Sequence, residues 1–206
     1  MARQSNTRGR ILDTAEAAVL EKGFEATSIE EIVAAVEITK SGFFYHFPDK
    51  NALGTALIAR YIDSEDVLFD GIFSRAEELD DDPLHAMLIA LRFLAEIVED
   101  LPGGHPGCLV ATAVYQSRLF DRAVHEMNQR AALRWRALFL ERFERIAAAY
   151  PPRAEVALAD LADAVLCVVE GGIVMSKALR DPKLLVRQLM LLRSQVKLLF
   201  TPPRMV

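Results

Sequence analysis

Between Thr27 and Lys50 the chain gathers hydrogen-bond donors at places where helices would begin. Thr27 and Ser28 precede one apolar-periodic segment, and Thr39, Lys40, Ser41 and Gly42 open a second, which carries Tyr45 and His46. Lys50 opens a third. A helix start presents free backbone N–H groups and the positive end of the helix dipole, so it favours an anion such as a phosphate. Small residues such as Ser41 and Gly42 let a helix start come close to a base edge, to which Thr39 and Lys40 bring donors. The chemistry that suits this set is multidentate contact with a nucleic-acid backbone, with some contact to bases. Arg3, Arg8 and Arg10 precede it as a basic arm that suits the backbone or the minor groove.

Placement rather than total charge carries that expectation. The 206 residues have a formal net charge of −5, and the first fifty hold six Lys and Arg against eight Asp and Glu, a net of −2. A hydrophobic content of 52% with 26% charged residues excludes a disordered chain. Ala, Leu and Val dominate without sustained alternation, which points to an all-α fold.

The elements that must position these donors follow from spacing. Residues 1–7 read as a loose polar arm. Ile11, Leu12, Ala15, Ala18 and Val19 recur at three- and four-residue intervals and predict an amphipathic helix over Arg8–Lys22. Gly23 and Phe24 form a left-handed stop with an apolar residue beyond it. Thr27 with Glu30 is a capping box, and Ser28 with Glu31 has the same spacing, so either residue suits the cap of the next helix. Ile29, Ile32, Val33 and Val36 are that helix's apolar stripe. Thr39 is placed to cap a third helix, Pro48 ends it, and Asp49 is placed to cap a long fourth one from Lys50 toward Leu79. Two short helices joined by a tight turn form a helix-turn-helix, here with Ile32, Val36, Ile38, Phe43 and Phe47 as core. Further on, Asp80–Pro83 restarts a helix that runs to Leu101, and Pro102–Gly107 is a loop. Helices are then expected from Cys108 to about Phe120, Asp121 to Tyr150, Arg153 to Arg180 and Asp181 to Phe200. That is nine helices and no strand.

The stretch ATSIEEIVAAVEITKSGFFYHFPDKNAL resembles the DNA-binding helix-turn-helix of the tetracycline-repressor (TetR/AcrR) family. The matching positions are Thr27, Ile29 and Ile32, Ile38-Thr39-Lys40, the aromatic run into His46-Phe47, and Lys50 with Leu53. The resemblance implies a nine-helix architecture with a DNA-binding domain over residues 6–66 and an effector-binding and dimerising domain over 67–206. It implies DNA contacts from Arg8, Thr27, Ser28, Thr39, Lys40, Ser41, Gly42, Tyr45, His46 and Lys50. It also implies a homodimeric, ligand-responsive regulator, most simply a repressor released from a palindromic operator by a small molecule. Two positions depart from the family pattern. Glu37 stands where Gly is common in the turn, and Phe44 stands where Tyr often supplies a phosphate-contacting hydroxyl.

In the last two helices Leu158, Leu161, Val165 and Gly172, then Leu185, Leu189, Leu192 and Val196, are the expected dimer interface. Gly171-Gly172 in mid-helix suits a closely crossing helix. An apolar or weakly polar effector is expected among the fourth to eighth helices, with Phe93, Cys108, Thr112, Tyr115, Trp135, Phe139 and Cys167 as candidate contacts. Cys108 opens a helix after His105-Pro106-Gly107, where a thiolate is favoured, so a cysteine-based electrophile or redox switch on the same fold is an alternative.

No Glu-x-x-His pair, His-Glu-x-x-His, phosphate-binding glycine loop or zinc-type cysteine spacing occurs, so no metal, cofactor or enzymatic role is expected. Two cysteines form no disulfide framework, and there is neither an apolar leader nor a membrane-length apolar run, which predicts a soluble cytoplasmic protein. A helical protein-interaction adaptor without DNA binding is the remaining reading. It predicts no salt-dependent affinity for DNA.

Overall fold

The computed structural model of the protein describes residues 4–201. Among these lie nine α-helices, one short 3-10 turn and no strand. The helices are α1 (Gln4–Lys22), α2 (Ile29–Val36), α3 (Lys40–His46), α4 (Lys50–Leu79) and α5 (Pro83–Glu99), followed by α6 (Leu109–Tyr115), α7 (Arg122–Ala149), α8 (Leu158–Leu179) and α9 (Leu184–Phe200). The all-α reading is borne out.

Short polar side chains define most of the starts. Ser28, not Thr27, caps α2, accepting the Glu31 N–H at 3.1 Å. Thr39 caps α3 through the Gly42 N–H at 3.0 Å, and Asp49 caps α4 through the Ala52 N–H at 2.7 Å. Asp82 caps α5 through the His85 N–H at 2.9 Å, with Pro83 at the first helical position. Each such cap is worth about 1 kcal/mol.

Four boundaries differ from expectation. α1 begins at Gln4 instead of Arg8, because once a helix is nucleated each added residue costs little. The helix after Cys108 breaks at Gln116, with a 3-10 turn over Ser117–Leu119 in place of a continuous run to Phe120. α8 waits until Leu158, since Pro151-Pro152 and the Arg153 N–H bond to the Leu199 carbonyl (2.9 Å) hold the preceding residues in another path. α9 starts at Leu184, after a turn in which Asp181 accepts the Lys183 N–H at 3.1 Å.

The chain forms two compact units. One contains the described residues up to Glu65 together with Pro106–Ala131, and the other contains Asp66–His105 together with the described residues from Ala132 onward. The segment Pro106–Ala131, which the sequence reading placed with the C-terminal domain, thus associates with the N-terminal helices. It does so because α6 packs on α1 and Phe120 lies 4.7 Å from Phe24, ring centre to ring centre.

In the first unit Ile11, Leu12, Val19, Phe24, Ile32, Val36, Phe43, Phe47, Leu53 and Leu57 are buried. Each large side chain removed from water contributes about 1.5–3 kcal/mol. Arg60 on α4 pins α1 by pairing with Asp13 (2.6 Å) and Glu16 (2.5 Å). In the second unit α9 buries Leu185, Leu189, Leu192, Val196 and Phe200 in its packing on α5 and α8. Phe139 meets Phe69 and Phe73 edge-on at 5.7 and 5.4 Å. Among the described residues no helix is long and apolar enough to cross a membrane.

Candidate nucleic-acid interface

The turn between α2 and α3 is made by Glu37 in the left-handed conformation (φ 56°, ψ 50°). Its N–H reaches the Ala34 carbonyl at 3.2 Å, and the Ile38 N–H reaches that of Val33 at 3.1 Å, closing the end of α2. The Val36 carbonyl accepts Arg10 Nη2 at 2.5 Å. Arg10 therefore ties α1 to the end of α2 instead of extending away as part of an arm.

α3 is only seven residues long, and its two faces differ sharply. Phe43 is fully buried and packs against Phe47 at 5.8 Å. Lys40 and Ser41 are exposed, as are Phe44 (46%) and Tyr45 (78%). His46 is half-buried, edge-on to Tyr45 at 5.1 Å. Two aromatic rings and two polar residues thus project from one short, firmly seated helix. The Thr39 and Ser41 hydroxyls lie 3.0 Å apart, so Thr39 is committed to the cap while Ser41 retains further bonding capacity. Lys40 Nζ donates to Glu30 Oε1 at 2.6 Å, and this bond holds the Glu30 carboxyl below its ordinary pKa. Both groups are largely exposed, so the pair is labile and a phosphate or base edge can take Glu30's place.

The other predicted contacts are distributed unevenly. Ser28 is exposed at the start of α2. Thr27 is buried, 1% exposed, and its hydroxyl donates to the Gly23 carbonyl at 2.9 Å, so it closes the α1–α2 turn and offers nothing at the surface. Gly42 is half-buried, and a Cβ there would lie 3.3 Å from the capping Thr39 Oγ1. Lys50 Nζ donates to the Glu25 carbonyl at 3.1 Å and lies 4.8 Å over the Phe24 ring. Partial burial lowers its pKa, with Glu25 acting in the opposite direction. Arg8 is exposed, with its guanidinium 5.1 Å from the Phe47 ring. Arg3 lies outside the described residues.

The residues read as a dimer interface are mostly core of the single chain. Val165, Gly172, Leu185, Leu189, Leu192 and Val196 are buried, and Leu158 and Leu161 are half-buried. Periodicity located the apolar faces of α8 and α9 but not their occupant, which is the chain itself.

The candidate effector contacts are divided between the two units. Cys108, Thr112 and Tyr115 belong to the first unit. Cys108 caps α6, its sulfur accepting the Ala111 N–H at 3.4 Å, and Thr112 donates to the Cys108 carbonyl at 3.0 Å. Tyr115 is 76% exposed. In the second unit Phe139 is core and Phe93 lies beneath the Arg75 guanidinium at 4.4 Å. Trp135 donates to Asp66 at 2.8 Å beside a groove between α4 and α7. Cys167 is exposed and lines a different groove, of about 320 Å³, between α8 and α9. Among the described residues no group of His, Cys, Asp and Glu is placed to hold a metal ion.

Sequence reasoning put Arg10 in the basic arm and missed Arg60, Gln116 and Phe120. Their partners lie 26 to 96 residues away, and no local period marks them. One signal was available: Gly54, inside a long helix, marks a close approach by other residues.

Residues 11–57 match the family described as bacterial regulatory proteins, tetR family. The HTH-type transcriptional repressor DhaR of Mycobacterium sp. (strain GP1) is 27% identical over 103 residues, 50% of this chain and 48% of DhaR. The HTH-type transcriptional repressor NemR of Escherichia coli (strain K12) is 31% identical over 58 residues, 28% of this chain and 29% of NemR. The chain thus spans less than half the length of these curated relatives. The fold likeness extends further. A TetR-family regulator from Agrobacterium tumefaciens superposes with a TM-score of 0.79 at 18% identity, over 96% of this chain and all of that one. The reduced form of E. coli NemR superposes with a TM-score of 0.71 at 20% identity, over 96% and 100%.

Proposed function

We propose that this chain, a member of the tetR family of bacterial regulatory proteins, is a DNA-binding transcriptional regulator. It acts as a homodimeric repressor that a small-molecule effector releases from a palindromic operator. The observation that carries the reading is the exposed face of α3, where Lys40, Ser41 and Tyr45 project from a helix anchored by buried Phe43 and Phe47. That face lies within the segment that matches the family. Ser28 and the start of α2 meet backbone phosphate, and Arg8, over the Phe47 ring, adds a separate backbone contact. Lys40 exchanges Glu30 for DNA, and Ser41 and Tyr45 approach the bases. Gly42 allows the close approach, Thr39 holds the helix start, His46 supports Tyr45, and Lys50 steadies the α1–α2 turn. The repressor assignment follows the names of DhaR and NemR. A DNA target places the protein in the cytoplasm.

Two copies pair through the parts of α8 and α9 that the single chain leaves exposed. On α8 these include Cys167, Gly171, Val174 and Met175, and on α9 they include Leu191 and Leu198. A two-fold dimer offers two α3 helices to half-sites about one helical turn, or somewhat more, apart. The effector is apolar or weakly polar and favours a dimer whose α3 helices no longer fit both half-sites.

Duplexes enriched from a random-sequence library test this reading. Wild-type protein is expected to bind them with affinity falling about a thousandfold between 50 and 200 mM salt. Ser28→Ala is expected to weaken all duplexes alike, whereas Lys40→Ala and Ser41→Ala change which sequences are preferred. Absence of binding, or binding insensitive to salt, would overturn the reading in favour of an adaptor.

A second reading keeps the DNA contacts and replaces the small-molecule effector with thiol chemistry at Cys108. Its support is the position of the Cys108 sulfur at the start of α6, facing the Ala111 N–H. Under it, N-ethylmaleimide frees DNA from wild type and from Cys167→Ser but not from Cys108→Ser. Equal release from all three removes it.

A further inference from the structure

The turn between α1 and α2 is clamped from outside the helix-turn-helix. Gln116 Oε1 accepts the Phe24 N–H at 3.1 Å, across 92 residues of sequence. The Phe120 ring lies 4.7 Å from the Phe24 ring, tilted by 36°. Arg118 reaches the Glu25 carboxylate at 3.6 Å. From α4, Lys50 Nζ lies 4.8 Å over the Phe24 ring and bonds the Glu25 carbonyl. All of these residues belong to the first compact unit.

Two features show that the clamp is specific. Gln116 is the residue at which the helix after Cys108 breaks (φ −107°, ψ 35°), and the amide it serves belongs to a residue that is only 4% exposed. A buried N–H left without an acceptor is costly, so this contact answers a definite need of the turn. Gly54 is the second feature. A Cβ there would lie 2.8 Å from Phe24 Cζ and 3.1 Å from Phe120 Cε1, so only glycine lets α4 come this close to both rings. The α1–α2 turn, the base of α4 and the segment after α6 therefore meet around Phe24. None of the clamp residues lies on the exposed face of α3.

We infer that Gln116 and Phe120 are positioning residues for DNA recognition. They hold the α1–α2 turn, and with it the α2–α3 pair, in one orientation on the base of α4. In a dimer that orientation sets the spacing at which two α3 helices are offered to DNA. A half-site is read by one α3 and is indifferent to the clamp, whereas a paired site is read by two and depends on it. The inference rests on the reading of the chain as a dimeric DNA-binding regulator.

The test uses full-length protein and the duplexes that wild type enriches. These are remade as a single half-site and as paired half-sites whose separation is changed one base pair at a time. Gln116→Ala and Phe120→Ala are expected to lose about tenfold in affinity for the paired site at its best spacing. They are also expected to bind the single half-site within about twofold of wild type, and to show a flattened dependence on spacing. Gln116→Glu retains an acceptor for the Phe24 N–H and restores the spacing profile. Hydrogen exchange at Phe24 reports the clamp directly, faster in Gln116→Ala and protected in Gln116→Glu. Variants whose spacing profile matches wild type, or which lose equally on half and paired sites, overturn the inference alone. A wild type that enriches no duplex overturns the DNA-binding reading and this inference together.

Discussion

Glu37 shows how one residue can work against both stability and recognition. Its left-handed conformation costs a non-glycine residue about 1 kcal/mol, and its carboxylate lies in the turn next to the helix proposed to approach phosphates. Glu37→Gly is expected to raise stability by about 0.5–1 kcal/mol in urea denaturation and to tighten DNA binding, most visibly at low salt. A loss of stability would show that Glu37 makes compensating contacts. Position 37 was legible as a turn because apolar periodicity stops at Val36 and resumes after it. The roles of Thr27 and Ser28 were not separable, since both precede an acidic residue by three positions. The structure distinguishes them: the Thr27 hydroxyl is satisfied inside the turn, and Ser28 caps α2 in solvent.

At the scale of the element, the neighbouring glycines of α8 separate two kinds of helix contact. A Cβ at Gly172 would lie 2.5 Å from Leu185 Cδ1 and 3.3 Å from Leu185 Cα, so α9 crosses there with no room for a side chain. A Cβ at Gly171 would meet nothing within 4 Å. Gly172→Ala is expected to destabilise the protein by about 1–3 kcal/mol through overpacking. Gly171→Ala should stabilise α8 by roughly 1 kcal/mol through helix propensity. Thermal and urea denaturation of the two variants checks the contrast, and equal effects would refute it. From the sequence the pair indicated only that something passes close to α8. Which glycine it passes, and that α9 of the same chain supplies it, depends on the rotation of α8 about its own axis, a quantity set by packing against α9.

At the scale of the whole molecule, the proposed dimer rests on the faces of α8 and α9 that remain outside the core. Leu191 is 50% exposed and Leu198 66%, seven residues apart on one side of α9, with Gln195 between them. Leu191→Glu with Leu198→Glu is expected to convert a dimer to a folded monomer in light scattering, with the helical circular dichroism signal unchanged. The same change should abolish preference for paired over single half-sites. A double variant that remains dimeric would move the interface elsewhere.

The amino-acid sequence by itself determined what depends on near neighbours: helix content, the capped starts of α3, α4 and α5, the turn at Glu37 and the aromatic core beneath α3. These follow from three- and four-residue spacing and from short side chains that bond their own backbone. Tertiary structure decided which apolar faces the chain covers for itself, that Pro106–Ala131 joins the N-terminal helices, and that Gln116 reaches Phe24. Such contacts join residues far apart in sequence. Whether they form depends on how rigid helices rotate and dock so as to bury the most apolar surface together, and no local pattern encodes that shared solution.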